Sequence, residues 1–373
     1  MLKLIDLTYH TNTEYDTLLQ LVRAQKESLG YVNWIKQSLE VIIVKHMPYE
    51  DHIIIDGVRY NCFKGPGKFF KIPFKTLQYL KKINPDVILI QGFISPFQVL
   101  MLRLLVDKKC RLILQHHGEQ PYPGLTMILH KLINKSIDAY LFTSLGNSKE
   151  WIRRKVISGP EKCYEIQAAS TSFVKQDKTT SKIRCGISGT HNFIWVGRLN
   201  TNKDPLTVLA GFEAYLKICP DAKLYMIYQT DELLAAVQNM ICEHGKLKDA
   251  VILKGKIDHE ELEYWYSASD FYISGSHQEA CGFALIEAMA CGCIPVVTNI
   301  PSFRKITNEG EFGLLYEPGD VNSLTNAFNV LASIPVEEES RSIICHFEKK
   351  LSFKSIADQL YTLCRQLAVG CGL

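Results

Sequence analysis

Along the chain, short apolar runs alternate with longer segments in which apolar residues recur every three or four positions, and this pattern predicts alternating strands and helices. Leu2–Leu7 reads as a first strand, Thr8–Thr13 as a polar turn, and Glu14–Ser28 as a helix. Strand-like runs follow at Glu40–Val44 and His52–Ile55, and Gly65-Pro66-Gly67 breaks the chain before a helix over Phe74–Lys82. Asn84-Pro85 then turns into Asp86–Ile90, a continuous apolar run suited to a strand buried on both faces of a parallel sheet. Arg111–Gln115, Asp138–Thr143 and Lys162–Ile166 extend the series. The polar stretch Thr171–Thr190, rich in Ser, Thr and Lys, reads as a linker. A second alternation starts at His191–Val196 and continues through Ala222–Tyr228, Val251–Ile257 and Phe271–Ile273 to a helix near Leu324. The expected architecture is α/β, two Rossmann-like domains facing a cleft, with domains at 1–178 and 190–350.

A length of 373 residues fits two such domains better than one core, and 47% hydrophobic against 22% charged residues fits an ordinary globular chain. Net charge is +3, but residues 1–180 hold 25 Lys and Arg against 16 Asp and Glu, and the remainder holds 17 against 23. A basic first half can face an acidic substrate, an anionic membrane surface or nucleic acid. The basic runs lack the interleaved aromatics of nucleic-acid modules, so no nucleic-acid partner is expected. The twelve cysteines include no CxxC pair, which argues against zinc and, with no signal-peptide pattern after Met1, for a reducing cytoplasm. Pro96–Cys110 and Thr126–Lys135 are apolar segments carrying cations. They fit helices covering a sheet, and they also fit peripheral contact with an anionic membrane at its inner face.

The stretch with most chemistry is Asp270–Pro295, DFYISGSHQEACGFALIEAMACGCIP. A strand leaves the sheet at Ser274-Gly275-Ser276, a polar loop carries Glu279, and Gly282 opens a helix-favouring segment with Glu287 inside it. A helix start presents unpaired N–H groups and the positive end of a dipole, which suits an anion. Upstream, GRLNTNKDP brings Gly197, Arg198 and Lys203 into one turn before a helix. Gly197 permits the tight turn, and the two cations can project from one loop.

These two runs resemble the E-x7-E and G-R-x4-K-[DN] signatures of retaining glycosyltransferases of family 4, which have the two-domain GT-B fold; the resemblance is strongest from 193 to 320. It implies a retaining transfer of a sugar from a nucleotide-diphosphate sugar to a glycan or lipid-linked acceptor, as in polysaccharide or glycoconjugate synthesis. The sequence holds no metal-binding Asp-x-Asp motif, and Arg198, Lys203 and the helix start near Gly282 can supply positive charge instead, so metal-independent catalysis with no further cofactor is expected. In that frame Arg198 and Lys203 pair with the donor diphosphate, Glu279 contacts sugar hydroxyls, Glu287 holds the ribose, and the backbone at Cys281, Gly282 and Phe283 meets the diphosphate. The Val251–Ile257 segment, with Lys254 and Ile257, resembles the part that contacts the base. The closing segment, residues 351–370, resembles the helix that returns to the first domain.

In His116-His117-Gly118-Glu119, at the end of a predicted strand, His117 matches the histidine that family members place near the reacting sugar. The sequence departs from the pattern in two places: TYHTNTEY after the first strand holds no glycine, which also argues against an NAD fold there, and the strand Ala222–Tyr228 lacks the glycine that commonly follows it in the family. Two rival readings are a GT-B epimerase or phosphorylase and a non-catalytic nucleotide-sugar-binding protein.

Overall fold

A computed structural model describes residues 1–65, 72–331 and 333–369. The chain forms two compact units, Met1–Ser170 with the C-terminal helix Phe353–Val369, and Thr171–Ser352.

The first unit is built on eight strands: β1 Lys3–Thr11, β2 Glu40–Met47, β3 Asp51–Ile55, β4 Val58–Lys64, β5 Val87–Gln91, β6 Arg111–Gln115, β7 Ala139–Phe142 and β8 Cys163–Glu165. They pair in the order β3-β4-β2-β1-β5-β6-β7-β8, parallel except for the β3–β4 hairpin. That hairpin turns at Asp56 and Gly57, both at positive φ (49° and 79°), as a two-residue loop of mirror-image turn geometry requires. Val58–Lys64 is a strand beyond those expected from the sequence pattern, although Asp-Gly beside a β-branched run is the usual signal for such a turn. Of the predicted Gly65-Pro66-Gly67 break, Pro66 and Gly67 lie outside the described residues.

Two further expectations change here. β1 runs on through the predicted turn to Thr11, because its register on β2 shifts between Leu7 and Thr11 and carries the strand past the polar residues. The helix expected over Glu14–Ser28 starts later, at Leu18, where Thr17 and Gln20 form a reciprocal capping box, and is interrupted at Gln25.

Side chains alternate across the first sheet. One face carries Leu4, Val41, Ile43, Val87 and Leu89 and is covered by the C-terminal helix through Ile356, Ala357, Leu360, Leu363 and Cys364. The other carries Ile5, Leu7, Ile42, Val44, Ile88 and Ile90. A β-carbon at Gly30 would sit 2.4 Å from the Phe353 ring, so a glycine is needed where the C-terminal helix begins to pack. Asp6 shares the face of Leu4 and is fully buried.

The second unit has six parallel strands: β9 Asn192–Gly197, β10 Lys223–Tyr228, β11 Val251–Gly255, β12 Phe271–Ser274, β13 Ile294–Thr298 and β14 Leu314–Tyr316, ordered β11-β10-β9-β12-β13-β14. Its core includes an aromatic cluster of Phe193, Tyr215, Phe271 and Phe328, with ring centroids 4.7 to 5.6 Å apart. The stretch read as a linker is folded into this unit. It contains the helix Lys178–Cys185, capped by Asp177 on the Thr180 amide (2.8 Å) and closed at Gly186 in the left-handed region (φ 65°). Its buried side is only Ser181 and Cys185, too small a stripe to register as amphipathic, and Lys178 lies 2.6 Å from Asp270 of the sheet.

Candidate functional site

In the second unit, two loops leave the carboxyl ends of β9 and β12, where open parallel sheets place their ligands. The loop after β9 ends at Asp204, a left-handed residue (φ 42°) whose carboxylate accepts from the Thr207 amide and so caps the helix Pro205–Tyr215. The loop after β12 presses against it: a β-carbon on Gly275 would meet the Asp204 carbonyl at 2.7 Å. The backbones are joined directly, by the His277 amide donating to the Asn202 carbonyl (2.8 Å) and the Asn202 side chain donating to the Gln278 carbonyl (3.0 Å). His277 and the Asp204 carboxylate lie 3.0 Å apart.

This zipping decides where Lys203 and Glu279 meet. The Lys203 ammonium forms an ion pair with Glu279 Oε1, which also accepts from the Ser276 hydroxyl (2.9 Å). Both side chains are mostly buried, exposed by 22% and 15%, so the pair is screened less than a surface one. Ser276 is completely buried and close to the Ser274 hydroxyl (3.0 Å). Arg198, by contrast, is exposed, and its guanidinium makes no ion pair among the described residues.

Three residues beyond Glu279, Gly282 sits in the left-handed region (φ 69°), and a β-carbon there would lie 2.9 Å from Ile306 Cδ1. It opens the helix Phe283–Ala290, which has no side-chain cap. The first-turn amides lack intrahelical acceptors by construction. Cys281 is half-buried and Phe283 exposed beside this turn. Glu287, one and a half turns further, is 4% exposed and held from two sides: His259 Nε2 lies 2.6 Å from Oε1, and the Tyr266 hydroxyl donates to Oε2 (3.1 Å). His259 in turn stacks on Phe173 at 5.0 Å. Burial, and next the Glu287 carboxylate, hold the Tyr266 phenol protonated well above its usual range. Lys254 is exposed with its ammonium 5.1 Å over the Trp265 ring, and Ile257 is half-buried beyond Gly255, where β11 has already ended.

In the first unit, the His-His-Gly-Glu turn follows β6. Its two histidines differ sharply. His116 is buried, Nε2 faces the Glu119 carbonyl (2.8 Å), and Nδ1 accepts from the Gly118 amide (3.3 Å), so both nitrogens are spent within the turn. Burial pushes its imidazole below the usual range. His117 is exposed, and of its ring nitrogens only Nε2 is engaged among the described residues, against Gln91 Oε1 (2.8 Å). Glu119 stitches the turn to the neighbouring strand by accepting from the Phe93 (2.9 Å) and His117 (2.7 Å) amides.

The amide-presenting helix start, the lysine–glutamate pair and the second glutamate all lie within one stretch, residues 178–344, that matches the family of glycosyl transferases group 1. A curated relative, the Campylobacter jejuni N-acetylgalactosamine-N,N'-diacetylbacillosaminyl-diphospho-undecaprenol 4-alpha-N-acetylgalactosaminyltransferase, is 27% identical over 69% of this chain and 70% of its own. The fold of the whole chain is that of a sucrose-phosphate synthase from Thermosynechococcus elongatus (TM-score 0.71, 20% identity, covering 99% of this chain and 100% of the other). It is also that of the Anabaena protein HepE in complex with UDP (TM-score 0.72, 14% identity, covering 98% and 100%). The protein is a GT-B glycosyltransferase.

Of the residues singled out in this glycosyltransferase, Gly197, Lys203, Glu279, Cys281 and Gly282 belong to the joined loops, and Glu287 faces His259 on the helix that follows. No contact among the described residues ties Lys254 to the Lys203–Glu279 pair. Sequence reasoning passed over His259, Tyr266 and the Asp204–His277 pair, whose significance comes from partners 21 to 73 positions away. It also passed over Asp6 and Gln91, which read as an ordinary strand residue and a strand end.

Proposed function

We propose that this glycosyltransferase is a retaining, metal-independent enzyme of family 4 that takes its sugar from a nucleoside-diphosphate sugar and delivers it to a glycan or lipid-linked acceptor. The observation that carries the reading is the Lys203–Glu279 pair, held by two zipped loops beside an uncapped helix start. An ammonium and a row of aligned amides are what a departing diphosphate requires, and a preorganised donor of this kind is worth about 10²–10³ in rate. Lys203 and Arg198 then bind the diphosphate with the amides at Gly282 and Phe283. Glu279, released from Lys203 when the diphosphate arrives, accepts hydrogen bonds from the sugar hydroxyls, Glu287 takes the ribose with its remaining lone pairs, and His117 is assigned the histidine's role toward a sugar hydroxyl. The segment Lys254–Ile257 lies along the base.

An acceptor on a lipid fits the first unit. The helices Pro96–Leu105 and Leu125–Ile133 bury Val99, Leu102, Leu129 and Ile133 but leave Leu104, Leu105, Leu125, Ile128 and Leu132 exposed, beside the exposed Lys108, Lys109 and Lys131. Apolar side chains next to cations favour an anionic bilayer surface. No described helix is long and apolar enough to cross a membrane. The relative from Campylobacter jejuni has a polyprenyl-diphosphate acceptor in its name, which agrees with this choice.

The test is transfer from a panel of UDP-, GDP- and ADP-sugars to polyprenyl-diphosphate and free glycan acceptors, with and without EDTA, and with the product anomer read by NMR. The expected result is turnover insensitive to EDTA, a retained anomer, and loss of turnover in Glu279→Ala. An inverted anomer or a requirement for added magnesium would overturn the mechanism, and donor binding without turnover would overturn the assignment.

A further inference from the structure

A fully buried carboxylate lies behind the exposed histidine of the first unit. Asp6, in the middle of β1, accepts from the Tyr31 hydroxyl (2.6 Å) and from the Gln91 side-chain amide (2.7 Å), both on Oδ2. Its other oxygen has no hydrogen bond and faces the Lys45 ammonium at 3.9 Å, itself nearly buried and donating to Thr8 Oγ1 (3.0 Å). Gln91, at the end of β5, presents its Oε1 to His117 Nε2 at 2.8 Å.

The order of donors and acceptors along this chain is forced. A carboxylate only accepts, so Gln91 must turn its NH₂ toward Asp6. Its carbonyl oxygen then faces His117, and an oxygen there requires the proton on Nε2. His117 is left with an unprotonated Nδ1, for which no partner exists among the described residues. A buried charge of this kind is unfavourable unless compensated, and here two hydrogen bonds and one ammonium are committed to it in an interior where apolar side chains would serve packing as well.

We propose that Asp6, acting through Gln91, is a positioning residue that fixes His117 in the Nε2–H tautomer, so that Nδ1 is presented as a hydrogen-bond acceptor to a hydroxyl of a sugar substrate. The kinetic part rests on the proposed glycosyltransferase role of His117; the tautomer itself does not. Tyr31, which shares Asp6 but not Gln91, supplies the control. In Asp6→Asn, Lys45 favours the new amide with its oxygen toward the ammonium, which turns the NH₂ toward Gln91. The Gln91 amide then flips, its NH₂ faces His117, and the proton moves to Nδ1.

The experiment is ¹⁵N NMR of the full chain with labelled histidine at pH 7.5, with His117→Asn to assign the signal, alongside steady-state kinetics. The expected result is an Nε2–H signature in the native protein and in Tyr31→Phe. Asp6→Asn converts it to Nδ1–H, and Gln91→Leu, which keeps Asp6 and its ion pair, gives a mixture. In both relay variants kcat falls about tenfold, the loss of one hydrogen bond, while the donor KM stays within about twofold. A His117 signature unchanged by both relay variants, or moved as far by Tyr31→Phe, overturns the proposal. A tautomer that responds in a protein without transferase turnover upholds the relay and overturns the function assigned to the site.

Discussion

The two units handle charge in opposite ways. In the second, ionic groups stand at the site itself: Lys203 against Glu279, His277 against Asp204, His259 against Glu287, each pair bridging two elements. In the first, the exposed group is a histidine and the charge lies one residue behind it, on Asp6 and Lys45 in the sheet interior. Under the proposed function, the difference matches the two tasks of a sugar transfer. Stabilising a leaving diphosphate needs positive charge in contact with the ligand, whereas orienting a sugar hydroxyl needs a neutral acceptor whose direction is fixed. Ion pairs at the site have a second property. A ligand that arrives with its own charge can take over one partner, so they are poised to exchange, while the buried Asp6–Gln91–His117 chain is not.

The contrast is tested most severely by Lys203→Ala. If the second unit carries the diphosphate chemistry, kcat/KM for transfer falls about 10²–10³-fold, the cost of removing one preorganised donor, whereas His117→Ala costs about 10-fold. Steady-state kinetics with the best donor of the panel decides it, and losses of equal size would erase the distinction between the units.

Acid distinguishes the units in a different currency. His130 packs between Phe93 and Trp151, and burial pulls its imidazole down to about 4 from the ordinary 6.5. The unfolded chain binds that proton near 6.5 and the folded chain only near 4, so stability is complete above about 6.5 and drains away as pH falls toward 4. By pH 5 the loss from His130 alone is about 2 kcal/mol. His46 and His116, buried in the same unit, are lowered as well, against His346 in the second. Calorimetry at pH 7 and pH 5 is expected to show the first unit's transition falling further, with part of the difference removed by His130→Leu. Equal falls would show that burial of these rings is not what sets acid sensitivity.

Gly282→Ala probes the helix start without touching a charge. Its β-carbon would enter the contact with Ile306 and Phe303 at a φ of 69°, a conformation that costs an L-residue of order 1 kcal/mol or more. The second unit's Tm is expected to fall by about 2–4 °C with the first unit's unchanged. A second-unit Tm within 1 °C of the native value would mean that the turn relaxes freely.

The sequence discloses these regions unequally, for reasons visible in particular residues. Parallel strands buried on both faces, such as Val87–Gln91 and Phe271–Ser274, announce themselves as continuous apolar runs. Gly282 and Glu287 sit in a local strand-loop-helix pattern that one stretch of sequence contains whole. The helix Lys178–Cys185 was hidden because its stability comes from Asp177 capping and the Lys178–Asp270 contact rather than from an apolar stripe. The division between units at Ser170 and Thr171 was hidden with it, since polar composition there marks a folded surface and not a free linker. Asp6 and Gln91 were illegible for a deeper reason. They are 85 positions apart and acquire meaning only when β1 and β5 pair in register, which puts Thr8 opposite Gln91.

The smallest expected effect has the most informative sign. Glu279 neutralises Lys203 in the unliganded protein, so a nucleoside diphosphate must draw the lysine away from its carboxylate before pairing with it. Glu279→Gln keeps the size and a hydrogen-bonding oxygen for Ser276 but removes that competition. A nucleoside diphosphate without its sugar should therefore bind at least about threefold tighter, since exposed pairs are worth about 0.2–1 kcal/mol and this one is screened less, even though transfer of the sugar slows. In the first unit, where no ion pair among the described residues involves the exposed histidine, Asp6→Asn should leave this affinity unchanged. Titration calorimetry with the diphosphate alone reads both variants. If Glu279→Gln weakens binding, the carboxylate is not a competitor but a scaffold that holds Lys203 in place, and the exchange between resident carboxylate and incoming phosphate does not occur.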